Sequence, residues 1–263
     1  MSPAASTEER RSRLLEMVRI RGFAALTDLT RELEVSESTV RRDLEFLEET
    51  GDAKRTHGGA FYTGIAPKLP HFDLRQEAQW DKKRAIAARA VELVDDGDTV
   101  LLDGGSTTYE VARLLVGRRL QIVTNSLPVA NLFASNANHD LVIVGGFVYP
   151  RTGVALGPYA NEMLERLSVR RTILSVSGIN ERGFFNNNLL LVETERAMMR
   201  AADEVIVVAD STKFGCQSLA LLCTLDQIHH LVVDDEISNE WRRKVADANV
   251  ELHLAAAETE PEK

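Results

Sequence analysis

From residue 81 onward the chain alternates short apolar runs with helix-forming stretches, and most of the apolar runs end on glycine, serine, threonine or aspartate. Parallel strands cannot be joined by a tight turn and need a crossover, usually a helix, so this alternation predicts a largely parallel sheet. The segment 81–94 (DKKRAIAARAVELV) reads as a helix, Asp98 to Asp103 as a strand, and 109–116 as a second helix after a glycine-rich turn. Further strands are expected at 120–124, 140–145, 171–177, 205–209 and 229–233, with a last one near 250–254. Helical stretches separate most of them, which predicts a doubly wound α/β domain with both faces of the sheet covered.

In such sheets ligands bind beyond the carboxyl ends of the strands. The first strand is followed by Asp103-Gly104-Gly105-Ser106-Thr107-Thr108. Glycines let the backbone approach a ligand, hydroxyls and amides donate hydrogen bonds, and a helix N-terminus favours an anion, so this turn suits a phosphate. Thr124-Asn125-Ser126, Gly145-Gly146, Ser177-Gly178 and Asp210-Ser211-Thr212-Lys213 follow the next strands. Each is compatible with an ordinary turn, and Lys213 with a solvated loop lysine; it is their recurrence at successive strand ends that marks one rim. The rim alone does not separate a sensor from an enzyme. Asp103, Asp210 and Glu193 are also the carboxylates an isomerase would use, with Lys213 holding developing charge. Glu193 and Glu195 equally suit a surface helix start.

The first sixty residues have a different grammar. Leu14, Leu15 and Val18, then Leu26, Leu29 and Leu33, fall at helical spacing, with Arg21-Gly22-Phe23 as the break. A third helix starts at Ser36, a good N-cap, carries Val40, Leu44 and Leu47 on one stripe, and ends at Gly51. The short Glu34-Val35 link is what a helix-turn-helix requires. With the apolar stripe inward, Ser38, Thr39, Arg41 and Arg42 are free to read DNA, since arginine forks onto guanine in the major groove. The segment Asp52-Ala53-Lys54-Arg55-Thr56-His57-Gly58-Gly59-Ala60 reads as a small β-wing. The candidate DNA-contacting set is therefore Ser36, Ser38, Thr39, Arg41, Arg42, Lys54, Arg55 and His57. A three-helix module for protein contacts has the same helix spacing.

Charge runs against a general nucleic-acid coat. The chain carries a net charge of −9, and residues 1–60 hold 10 Lys and Arg against 12 Asp and Glu. Affinity for DNA draws on phosphate neutralisation, so a DNA-binding face must come from segregation of charge to one side, with dimerisation doubling the contacts. Residues 61–80, with Gly64, Pro67 and Pro70 and little periodicity, read as a linker. The expected domains are thus 1–60, the linker 61–80, and 81–257. No apolar run approaches the roughly 20 residues that span a bilayer, and charges stand where a secretory signal would have its apolar core, so a cytoplasmic protein is expected. Cys216 and Cys223 form neither a disulfide framework nor a metal cluster.

The strings Val35-Ser36-Glu37-Ser38-Thr39-Val40-Arg41-Arg42-Asp43-Leu44 and Arg55-Thr56-His57-Gly58-Gly59-Ala60 resemble the signature of the DeoR family of bacterial regulators. The resemblance covers essentially all of 8–235. It extends through Phe72 and Arg75, Lys83 with Ile86-Ala87, Leu102 to Thr108, Val123 to Ser126, Gly145-Gly146, Gly157-Pro158, Gly178-Ile179 and Ala209 to Phe214. It implies a winged helix-turn-helix followed by a sensor domain similar in fold to ribose-phosphate isomerases. It also implies a homodimer or homotetramer on a double-stranded DNA operator, repressing genes of carbohydrate metabolism until a phosphorylated sugar releases it. On that pattern Gly105, Ser106, Thr107 and Thr108 hold the phosphate. Asp103, Asn125, Gly146, Gly178, Glu193 and Lys213 line the sugar end, and Lys83 reaches the pocket from the first helix. Neither metal nor cofactor is implied, nor catalysis. An isomerase-like enzyme and an effector-independent DNA-binding activator are the rival readings. Two departures from the family pattern stand out: Ser106 replaces a more usual threonine, keeping the hydroxyl, and residues 184–191 (FFNNNLLL) are less typical, which bears on effector identity.

Overall fold

A computed structural model of the chain describes residues 7–21, 23–50, 53–56, 58–62, 72–134, 140–150 and 152–256. The chain divides into two compact units, residues 1–69 and 70–263.

In the first unit, α1 (Thr7–Arg21), α2 (Leu26–Leu33) and α3 (Glu37–Glu49) are joined by three short strands, β1 (Phe23–Ala25), β2 (Ala53–Thr56) and β3 (Gly59–Tyr62). The strands form one antiparallel sheet in the order β1-β3-β2. The β2–β3 hairpin is the expected wing; β1 is a strand that the Arg21-Gly22-Phe23 break conceals. Leu14, Val18, Leu29, Val40, Leu44 and Leu47 form the core, as their spacing predicts. Glu34 adopts a left-handed conformation (φ 53°) at the end of α2, and Ser36 Oγ accepts from Thr39 N at 3.3 Å to cap α3. Together they turn the chain sharply between the two helices.

The second unit opens with α4 (Phe72–Glu77) and α5 (Trp80–Ala90). Helix α4 lies inside the stretch read as linker. It is too short to announce itself by periodicity, and it is held from outside: the Phe72 ring meets Tyr109 edge-on at 5.3 Å. Lys83 Nζ donates to the carbonyls of Arg75 and Ala78. There follow β4 (Thr99–Leu102), α6 (Ser106–Leu115), β5 (Gln121–Thr124), α7 (Leu127–Phe133), β6 (Asp140–Ile143), β7 (Phe147–Tyr149), β8 (Val154–Leu156), α8 (Pro158–Leu164) and β9 (Val169–Ser175). The chain continues through β10 (Gly178–Asn180), β11 (Gly183–Asn186), α9 (Leu189–Arg200), β12 (Ala202–Val208), β13 (Ala220–Cys223), β14 (His230–Asp234), α10 (Asn239–Asp247) and β15 (Glu251–Ala255).

Seven of these strands form one sheet in the order β15-β14-β12-β9-β4-β5-β6, every neighbouring pair parallel. Alternate residues serve opposite faces. Val100 and Leu102 pack with Ile86, Val111, Leu115 and Phe133 from α5 to α7. Leu101 and Leu174 pack with Leu164, Val192, Met198, Trp241 and Val245 from α8 to α10. From β4 the chain winds outward through β5 and β6, then resumes on the other side at β9. The strand order therefore reverses between β4 and β9, and ligands of such sheets bind at that point, beyond the carboxyl ends. The β7–β8 hairpin and a three-stranded antiparallel sheet, β10-β11-β13, stand apart from the main sheet.

Candidate functional site

The switch point is built around Asp103, the residue after β4. Its Oδ2 accepts from Gly105 N at 3.1 Å and from Ser175 Oγ, at the end of β9, at 3.3 Å. The turn tolerates nothing larger than glycine. A Cβ on Gly105 would stand 1.6 Å from Ser175 Oγ, and one on Gly104 1.9 Å from Val154 Cγ1. Close approach of β9 and β8 thus explains both glycines. Burial raises the pKa of Asp103, against the pull of hydrogen bonds from Gly104 and Ser175 and of the charge on Arg75.

Helix α6 starts at once from Gly105, with no side chain capping its N-terminus. Ser106, Thr107 and Thr108 fill the first turn and are buried, so the helix presents its positive end where the strand order reverses. Asn125, after β5, is fully buried and donates from Nδ2 to Ala155 O at 3.1 Å. Buried polar atoms normally find partners, yet Thr108 Oγ1, Asn125 Oδ1, Thr152 Oγ1 and Arg75 Nε and Nη2 have none among the described residues. Burial lowers the Arg75 pKa, with Asp103 pulling the other way.

From α5, Lys83 is buried within electrostatic reach of Asp210, Lys213, Arg75 and Glu110. Burial pushes its ammonium down to about 8, Asp210 opposing and Lys213 and Arg75 adding to the fall. Asp210, after β12, is buried and accepts from Thr212 N at 3.1 Å, and Lys213 Nζ stands 3.9 Å from it. The adjacent Lys82 pairs with Asp234 at 3.2 Å and Glu236 at 2.8 Å, fixing α5 to the end of β14.

Lys83, Asp103, Gly105, Ser106, Thr107, Thr108, Asn125 and Lys213 therefore share the carboxyl rim. Gly146 sits between β6 and β7 with φ 155°, where a Cβ would lie 2.8 Å from Leu156 O. Gly178 opens β10, and its Cβ would meet Cys216 O at 2.6 Å; packing accounts for it. Glu193 is exposed on α9. The carboxylate that α9 turns inward is Glu195, wholly buried, with both oxygens accepting from Asn186 Nδ2 at 2.7 and 2.8 Å. Asn186 also reaches Ser175 O at 3.3 Å, linking Glu195 to the strand end beside Asp103. Helical phase carries the signal: Val192, Glu195 and Met198 share a face, and Glu193 does not. Arg75 and Thr152 lie outside the regular elements that periodicity reveals; the family resemblance includes Arg75, and it is their unmatched hydrogen-bonding atoms that place both at the site.

In the first unit α3 presents Ser38, Arg41 and Arg42 to solvent. Ser36 Oγ is engaged by Thr39 N and lies 2.9 Å from Ser38 Oγ and 2.8 Å from Thr39 Oγ1, so its cap role is structural. Arg41 pairs with Glu37 one turn back at 2.6 Å. On the wing, Arg55 Nε donates to Glu48 at 2.6 Å, which raises its pKa with help from Glu45. Lys54 stands in β2 between Ala53 and Arg55. His57 lies outside the described residues. Charge segregation is partial, because carboxylates already hold Arg41 and Arg55.

Residues 10–64 match the model of the DeoR-like helix-turn-helix domain, and residues 78–235 that of the DeoR C-terminal sensor domain. Among similar proteins is the transcriptional repressor AccR of Agrobacterium fabrum, 32% identical over 257 residues, covering 93% of this chain and 98% of that protein. The uncharacterized HTH-type transcriptional regulator YulB of Bacillus subtilis is 29% identical over 245 residues, covering 93% and 95%. Solved structures resemble the chain more loosely. Ribose 5-phosphate isomerase A of Methanocaldococcus jannaschii aligns with TM-score 0.38 at 20% identity, over 52% of this chain and 55% of that one.

Proposed function

The chain belongs to the DeoR family of transcriptional regulators, and from that premise we propose that it represses genes of carbohydrate metabolism until a phosphorylated sugar binds its α/β unit. Repression is supported by relatives such as AccR, which is named a transcriptional repressor. The observation that carries the effector class is the coincidence, at the β4/β9 switch point, of an uncapped helix N-terminus with unpartnered buried polar atoms. An anion at the start of α6 would take the backbone amides of the first turn and the hydroxyls of Ser106, Thr107 and Thr108, with the cations Lys83 and Arg75 nearby. Asn125 Oδ1, Asp103, Asp210 and Thr152 supply acceptors for sugar hydroxyls, and Lys213 and Gly146 complete the rim.

In the first unit, Arg42 and Ser38 read base edges from α3, while Arg41, Lys54, Arg55 and Thr39 contact phosphates or bases. Two copies are needed for adequate phosphate contact, because one unit carries little positive charge. The effector acts by binding the DNA-incompetent arrangement more tightly than the competent one, since equal affinity would shift nothing. A sensor rather than an isomerase is favoured by the match to the sensor-domain model and by relatives named as transcriptional regulators, and Glu193, one of the carboxylates an isomerase would use, is exposed. The test is operator binding at fixed salt with and without a panel of sugar phosphates, together with an assay for their isomerisation.

A further inference from the structure

At the opposite end of β14 from Asp234, three potential metal-binding side chains converge. Strands β14 and β15 pair with His230 opposite Glu251, and His253, two residues on, projects to the same face as Glu251. His230 Nδ1 lies 3.1 Å from His253 Nε2 and 3.4 Å from a Glu251 oxygen, and His253 Nε2 lies 3.6 Å from the other Glu251 oxygen. Bonds of about 2.0–2.1 Å to a tetrahedral zinc ion put ligand atoms about 3.3–3.4 Å apart. The two imidazole nitrogens are thus spaced close to one edge of a coordination tetrahedron, and the Glu251 carboxylate brings one oxygen near each of them, with one ligand atom from each of the three residues within 4.8 Å of the others.

We propose that His230 Nδ1, His253 Nε2 and the Glu251 carboxylate form a binding site for a zinc-type divalent cation. Two imidazoles and one carboxylate are a donor set that zinc accepts, leaving a fourth position for water. Two of the three ligands, His230 and Glu251, also line a surface cleft of about 530 Å³, together with Glu204 and Asp226. The outer shell is half prepared. A ligating histidine usually gives its other N–H to a carboxylate, and Glu204 stands 3.9 Å from His230 Nε2.

His253 needs one change. Its Nδ1 is 3.2 Å from Arg89 Nη2, and a guanidinium only donates. Nδ1 is therefore the acceptor, and Nε2 carries the proton that points at His230. Zinc requires that proton to leave Nε2; the neutral ring then holds a proton on Nδ1, and Arg89 swings away. Glu92, already bonded to Arg89, is the partner that can retain it. The bound ion would clamp β15, the edge of the sheet, to β14. The site stands apart from the carboxyl rim and does not rest on the effector reading.

The experiment is zinc titration of the chelator-treated full-length protein, competed against a chromophoric zinc indicator. One ion per chain is expected. Glu251→Gln and His230→Gln should weaken uptake by more than about tenfold, and both replace partly exposed side chains, so the fold survives. Arg89→Gln should tighten uptake, because a glutamine carbonyl can accept the Nδ1 proton. Cys216→Ser should leave it unchanged. Absence of uptake, binding unaltered in both ligand variants, or loss of binding in Cys216→Ser would each overturn the assignment.

Discussion

Asn186 donates from one amide nitrogen to both oxygens of Glu195, at 2.7 and 2.8 Å, in a setting closed to solvent. Burial raises the Glu195 pKa well above its usual value, and the neighbouring charge of Asp103 raises it further. An acid whose folded pKa lies above its unfolded one binds more protons when folded. Stability is then fully present below pH 4.5, the ordinary value, and is lost as pH rises through the folded pKa. Glu195→Gln should therefore have a higher urea midpoint than the parent at neutral pH, the gap closing in acid. Glu195→Ala should lose about 1–3 kcal/mol, because the buried Asn186 amide loses its two shortest acceptors and keeps only Ser175 O, at 3.3 Å.

On the proposed effector reading, Lys83 should set a pH limit on effector binding. With a folded pKa of about 8, the ammonium is charged at neutral pH and neutral in mild alkali. Affinity for a sugar phosphate, measured by calorimetry, should fall between pH 7 and pH 9 in the parent. In Lys83→Met it should be weaker by about 1.5–3 kcal/mol and lose this part of its pH dependence. The same depressed pKa makes the Lys83 contribution to folding stability rise with pH from about 8 to its unfolded value of 10.5.

On the recognition helix the two arginines should differ. To contact DNA, Arg41 must give up Glu37, whereas Arg42 is exposed and forms no ion pair among the described residues. Arg42→Ala should cost about 1–3 kcal/mol and relax sequence preference at one operator position. Glu37→Gln should strengthen binding to unrelated DNA and steepen its salt dependence. Parallel gel-shift titrations at several salt concentrations separate the two effects.

Asp43, next to them in sequence, points the other way. Buried on α3, it accepts from Arg10 Nε at 2.7 Å and Arg11 Nε at 2.9 Å, tying α1 to α3. Asp43→Ala should speed amide exchange in α1 and α3 by an amount corresponding to about 1–3 kcal/mol, leaving exchange in the main sheet unchanged.

All seven strands of the main sheet and the three N-terminal helices are legible in the sequence, because each carries an apolar run or stripe that a core demands. What escapes is short or held from outside. Strands β1, β7, β8 and β10 have three residues each, and the exposed Phe147 and Val148 of β7 give no burial pattern. Helix α4 depends on side-chain contacts from beyond its own span, Lys83 on the carbonyl of Arg75 and the distant Tyr109 on Phe72. At the site, the glycine and hydroxyl turns are legible because backbone geometry demands those residue types. The choice between Glu193 and Glu195 turns on helical phase, and Gly178 answers to the carbonyl of Cys216, a contact no local pattern reveals.

The most direct test of the account is operator affinity at fixed salt, with and without a sugar phosphate already seen to raise the melting temperature of the protein. The account predicts that the compound weakens operator binding roughly 5- to 150-fold, the usual range of allosteric coupling. A sugar phosphate that stabilises the protein yet leaves operator affinity unchanged would contradict it.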